Sequence, residues 1–212
     1  MKKTYTTVFS LLVLLVSLYG LKSAASNEKE TDWGYGGGSA GTRYSDLKQI
    51  NRGNVSKLHV AWEYDPGDGA GDPQTQPVVT GGILLGVSAK HKAFALDAAT
   101  GKELWKFDSG VTGRGPNRGV TVWGLGKEKR VFVAVQHFVY ALDILTGKPI
   151  PGFGSDGRID LREGLGREPG KQSIVLTTPG IIYKDLLIVG GRLPESLPAP
   201  PGDIRAYDVR TG

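Results

Sequence analysis

One phrase returns three times along this chain, and it limits the possible folds more than any other feature. Ala95-Leu96-Asp97-Ala98-Ala99-Thr100-Gly101-Lys102 is echoed by Ala141-Leu142-Asp143-Ile144-Leu145-Thr146-Gly147-Lys148, and Ala206-Tyr207-Asp208-Val209-Arg210-Thr211-Gly212 closes the sequence. The copies begin 46 and then 65 residues apart. The shorter period suits one four-stranded propeller blade, and the longer one a blade carrying an insertion. Around the first copy, Gln76–Thr80, Ile83–Ser88, Ala93–Asp97 and Glu103–Phe107 read as strands. Turns fall at Gly81-Gly82, Lys90-His91 and Thr100-Gly101. Beyond residue 25 no segment carries a helical period of useful length, and 32 glycines with 12 prolines in 212 residues supply frequent turns. The expected class is all-β, a β-propeller of which the chain holds fewer than three blades.

The repeat has its own mechanics. An Asp three residues before Thr-Gly can accept hydrogen bonds from the turn amides, and glycine supplies the positive φ such a turn needs. Trp105, four residues after Gly101, offers a wide apolar surface for the neighbouring blade. Asp97, Asp143, Asp208 and Trp105 are therefore expected to be structural, since a catalytic group would not recur in every repeat.

Residues 1–25 read as an export signal: Lys2 and Lys3, an apolar run from Val8 to Leu18, then the small residues Ser23-Ala24-Ala25. The rival reading, an uncleaved anchor, has only Thr4–Leu21, at the lower limit of ~18 residues for a span and interrupted by polar residues. The formal charge of +5 shrinks to +2 once Lys2, Lys3 and Lys22 are set aside, and no basic block remains, so nucleic acid is not an expected partner. With no cysteine, the chain forms no disulfide and carries no lipid-modified cysteine after the signal.

Several segments together resemble the PQQ-dependent (quinoprotein) dehydrogenases. Asp32-Trp33 with Tyr35-Gly36-Gly37, Gly41-Thr42-Arg43-Tyr44-Ser45, and Ile50-Asn51 with Asn54-Val55, Leu58 and Ala61-Trp62 are similar to that family's mature start. Residues 95–105 resemble its tryptophan-docking motif, and Asn117-Arg118-Gly119-Val120-Thr121-Val122-Trp123 resembles its cofactor-side segment. The resemblance implies a propeller of about eight blades with PQQ and calcium on its axis. It implies oxidation of a sugar or alcohol in the periplasm, with electrons passed to ubiquinone or a cytochrome and an association with the inner membrane allowed. It also implies a much longer protein, so residues 26–212 are expected to be an incomplete propeller domain, inactive alone, whose catalytic aspartate lies elsewhere.

The same resemblance nominates site residues. Arg118 stands where the family has a PQQ-contacting arginine, and a guanidinium can fork onto a carboxylate or quinone oxygen. Thr177 and Thr178, before Pro179, lie where a PQQ-binding threonine is placed; the register leaves both open. Gln74 replaces a glutamate common among relatives, keeping a hydrogen bond but no charge. Glu195 has a spacing similar to a calcium-ligand glutamate, a role that oxygen-seeking calcium permits.

Within the family, Gln74 and the absence of cysteine point towards glucose or a related sugar or polyol, with a quinoprotein alcohol dehydrogenase as the alternative. A non-enzymatic outer-membrane scaffold propeller is the reading from another class, because fold alone does not set function. Such a scaffold needs no Asn117–Trp123 segment. Gly36-Gly37-Gly38-Ser39-Ala40-Gly41 fits a dinucleotide fingerprint but lacks the strand before it and the helix after it. His59, His91 and His137 lack metal-ligand spacing and are expected to be surface or packing residues. Asn54-Val55-Ser56 matches a glycosylation sequon of low specificity.

Overall fold

A computed structural model describes residues 42–212 apart from 46, 70 and 72; the signal, the segment from Asp32 to Gly41 and its glycine run lie outside the described residues. Among the described residues, eleven strands form three antiparallel sheets in sequence order. The first blade is β1 (Val78–Thr80), β2 (Ile83–Val87), β3 (Ala93–Asp97) and β4 (Glu103–Phe107). The second is β5 (Val120–Trp123), β6 (Arg130–Val135), β7 (Phe138–Asp143) and β8 (Arg158–Asp160). The third holds β9 (Ile181–Tyr183), β10 (Leu186–Gly190) and β11 (Ile204–Asp208). Three single-turn 3-10 helices are the only helices among the described residues, and none is long and apolar enough to cross a membrane.

The all-β expectation and the four strands read around the first repeat are both present. Two ends are shorter than expected. Gln76 leaves its own blade, its N–H donating to Arg118 O at 3.1 Å, and Ser88 turns, with its N–H on Lys92 O and its hydroxyl accepting from Lys92 N.

Burial explains why these sheets stack as blades. Along β6, Val131, Val133 and Val135 join Val78, Leu85, Val87, Ala93 and Ala95 in one core, while Phe132 and Ala134 join Leu176, Leu187 and Val189 in another. The alternation of side chains sends successive residues to opposite faces, so a strand covered on both sides must be apolar throughout. The sequence Val-Phe-Val-Ala-Val meets that need and would leave one greasy face in a half-solvated sheet.

The repeats are the locks between blades. Asp97 Oδ1 accepts from Thr100 N at 2.8 Å and Thr100 Oγ1 at 2.7 Å; Asp143 does the same for Thr146 at 2.8 and 2.8 Å, and Asp208 for Thr211 at 2.9 and 3.2 Å. The turn glycines Gly101 and Gly147 have φ of 72° and 68°, and each lies against a tryptophan: Trp62 on Gly101, Trp105 on Gly147. A Cβ at either would sit 2.5 Å from the indole. Trp62 thus does for the first blade what Trp105 does for the second, a role not read from the sequence. The second blade has Pro151 where its own tryptophan would stand, and docks the third turn through Gly154, whose N–H donates to Thr211 O at 2.8 Å beside the fully buried Phe153.

Antiparallel pairing puts different jobs at opposite strand ends. Val120 pairs with Val133 and Val135 with Phe138, so Arg118 and the Gln136-His137 turn share one end of the blade; Arg130 pairs with Asp143 at the other, where the Thr-Gly turn lies.

Candidate functional site

The inner strand of each blade begins at the end away from the docking turns, and three of these starts are joined in a row. Gln76 N–H donates to Arg118 O at 3.1 Å, and Arg118 N–H donates to Thr177 O at 2.9 Å. Three of the four nominated cofactor positions are therefore brought to this row: Arg118 and Thr177 within it, and Thr178 next in chain. Gln74 lies two residues before Gln76, exposed, while Thr75 between them turns its hydroxyl back to accept from Val87 N.

Backbone register separates the two threonines. A bond from Arg118 N to Thr177 O sets Arg118 opposite Thr178 in a parallel pair, whose second bond would need an N–H from Pro179. Side chains paired in this way lie on the same side. The exposures agree: Arg118 and Thr178 are exposed, Thr177 is half-buried, and Asn117 is buried with its amide donating to Ala134 O at 2.8 Å.

The cations at this end are exposed, and the Asp68 carboxylate accepts from Lys90 N–H at 3.2 Å. Among the described residues, the side chains of Lys90, Arg114, Arg118 and Arg192 are exposed and none takes part in an ion pair. An exposed guanidinium and a threonine hydroxyl on the same side of bonded backbone are a donor set suited to a polyanion. The arrangement fits a planar tricarboxylate. It provides no base: no carboxylate or imidazole accompanies Arg118 in the row.

A metal fares differently. Glu195 is exposed, in a proline-rich loop whose near end is anchored where Arg192 and Val175 exchange hydrogen bonds of 2.7 and 3.1 Å, two residues before Thr177. Among the described residues no group of three or more His, Cys, Asp or Glu side chains could hold an ion. A calcium cage needs six or more oxygens, so these residues do not by themselves assemble one.

Of the three histidines, His91 is buried, and the structure gives it more than packing. Its Nε2 lies 3.0 Å from Gly115 O. His137 stacks on Phe138 with ring centroids 4.2 Å apart; burial and the nearby Arg162 hold its pKa below the usual imidazole value. A cavity of about 780 Å³ lined by Phe138, Arg158, Asp160, Glu163, Arg205 and Tyr207 opens beside β8 and β11 and shares none of the nominated residues.

Sequence reasoning missed Gln76 and Gln136. Gln76 could have been found from Pro77 after it, which biases Gln76 to the extended backbone that a neighbouring strand start can pair with; Gln136 had no local signal.

A family profile described as PQQ: glucose/ethanol/alcohol dehydrogenase, beta-propeller domain, matches residues 33–212. The chain is 34% identical over 218 residues to quinoprotein glucose dehydrogenase A of Acinetobacter calcoaceticus, covering 86% of this chain and 27% of that protein. It is 31% identical over 220 residues to the quinate/shikimate dehydrogenase (quinone) of Acinetobacter baylyi, covering 87% and 27%. Among solved structures, the quinohemoprotein alcohol dehydrogenase of Comamonas testosteroni superposes with a TM-score of 0.68 at 29% identity, over 85% of this chain and 26% of that one. The chain thus spans about a quarter of the length of these relatives.

Proposed function

Since this chain belongs to the PQQ-dependent dehydrogenase β-propeller family, we propose that it forms the cofactor-cradling part of an exported quinoprotein that oxidises glucose or a related sugar or polyol. The observation that carries the proposal is the Gln76–Arg118–Thr177 row, with at its centre an exposed guanidinium that has no ion pair among the described residues. Arg118 binds a carboxylate or quinone oxygen of PQQ, Thr178 donates its hydroxyl alongside, and Gln74 offers an amide. Thr177 serves through its backbone. When bound, the ortho-quinone supplies a two-electron acceptor for converting a substrate hydroxyl to a carbonyl. This chain's residues orient and neutralise that acceptor, while the base acting on substrate comes from another part of the protein. Glu195 would supply at most one carboxylate to a calcium ion, whose other oxygen ligands would come from elsewhere in the protein.

The sugar branch is supported by Gln74, the lack of cysteine and the likeness to a glucose dehydrogenase. The solved alcohol dehydrogenase favours the second reading, an alcohol substrate. Export to the periplasm rests on residues 1–25, and a quinone or cytochrome is the proposed acceptor.

The full-length protein, purified without cofactor, tests both readings by dye reduction with glucose, other polyols and primary alcohols, before and after adding PQQ with and without calcium. Activity with sugars that appears only after PQQ supports the first reading. Activity confined to alcohols selects the second. Absence of PQQ binding under every condition would overturn both.

A further inference from the structure

We propose that His91 and Gln136 are positioning residues that clamp the Arg118 loop from two neighbouring blades, so that the guanidinium is aimed before the anionic cofactor arrives. The inference rests on the quinoprotein reading above. Both residues sit in the turns joining the second and third strands of their blades, and both have positive φ, 64° for His91 and 57° for Gln136. Glycine fills such positions without penalty, whereas a side chain there is strained. Something must offset that strain, and both side chains reach the same target. His91 Nε2 lies 3.0 Å from Gly115 O, and Gln136 Nε2 donates to Arg114 O at 3.0 Å. A carbonyl only accepts, so Nε2 of His91 carries the proton.

The two clamped carbonyls are adjacent, three and four residues before Arg118. Gly113 packs so closely on His91 that a Cβ would lie 2.4 Å from the ring. Beyond them, Asn117 holds Ala134 O and Gly119 N, and Arg118 is fixed through both its N–H and its carbonyl. From Arg114 to Gly119 the backbone is tied to the first, second and third blades, while the Arg118 side chain is exposed. A flexible glycine-rich loop would pay ordering entropy on binding; a clamped one has paid it in folding.

The test uses the full-length apoprotein and Gln136→Gly, which removes the amide while keeping a residue suited to φ 57°. His91→Asn is a second variant, more exposed to folding failure because His91 is buried. Three quantities are read: PQQ affinity by fluorescence titration, apoprotein Tm, and amide exchange across Gly115–Gly119. The expected result for Gln136→Gly is an affinity weakened about tenfold or more, a Tm held near wild type and faster exchange in the loop. An unchanged affinity overturns the positioning role, as does an affinity lost only in step with Tm. Wild-type protein that binds no PQQ would overturn the quinoprotein reading and this role with it, whereas wild-type binding with an unaffected variant removes the role alone.

Discussion

The indole of Trp105 lies flat on Gly147 while its N–H donates to Ile144 O at 2.8 Å, so one side chain of the first blade satisfies and covers the turn of the second. Trp105 is 7% exposed, and its truncation would open a void between two sheets. Trp105→Ala in the full-length protein should cost roughly 3–5 kcal/mol, the usual loss for a buried large aromatic. Chemical denaturation measures it; a loss below about 1 kcal/mol would mean that the indole is not a lock.

The partner glycine should be equally intolerant. Gly147→Ala combines positive φ with a Cβ driven into the indole, and a cost of about 2–4 kcal/mol is expected. Gly152→Ala, with nothing within 4 Å of its Cβ, is the control and should change stability little. Equal Tm values for the two variants would contradict the packing.

Arg118→Ala should weaken PQQ binding about 10–100-fold, from ~1.5–3 kcal/mol for a hydrogen bond to a charged group, and Arg118→Lys should restore part of it. Apoprotein Tm should not move, because the side chain is exposed and only its backbone is bonded. Cofactor titration that matches wild type would remove Arg118 from the site.

Register makes the two threonines unequal. Thr178→Val should lower PQQ affinity several-fold, about the worth of one hydrogen bond, while Thr177→Val leaves it near wild type. The reverse order would show that the strand start twists away from its hydrogen-bonded register when the cofactor binds.

Asp160 gives a pH test. Burial pushes its carboxyl up, but the Arg162 fork (2.7 Å from Nη2 to Oδ2, 3.0 Å from Nε to Oδ1) and the Arg162 N–H outweigh it and leave the pKa below the usual value. A depressed carboxyl contributes stability above its unfolded pKa of about 3.9 and loses it as pH falls through the folded value. Asp160→Asn should therefore lower Tm near pH 7 and flatten the acid limb below about pH 4, where the two curves converge. Parallel curves down to pH 2 would show that the pair adds nothing.

Much of this was legible in the sequence, and the reasons are local. The Asp-x-x-Thr-Gly turn is made within a few residues, so Asp97, Asp143 and Asp208 declared their partners by spacing. Arg118 was visible because its flanking residues form a dense motif. Trp62 was not read as a lock, since no copy of the repeat precedes it in the sequence. Choosing between Thr177 and Thr178 required a hydrogen bond to a residue about sixty positions away, and Gln136 matters only through a loop that belongs to a different strand pair.

The separation of strand ends has an evolutionary reading. The docking turns, closed by tryptophan on Gly101 and Gly147 and by Gly154 at the third, sit at one end, while the Arg118 row and the long proline-rich excursion between β10 and β11 sit at the other. The second set of loops can therefore be lengthened, shortened or rewritten without renegotiating the terms on which neighbouring blades adhere.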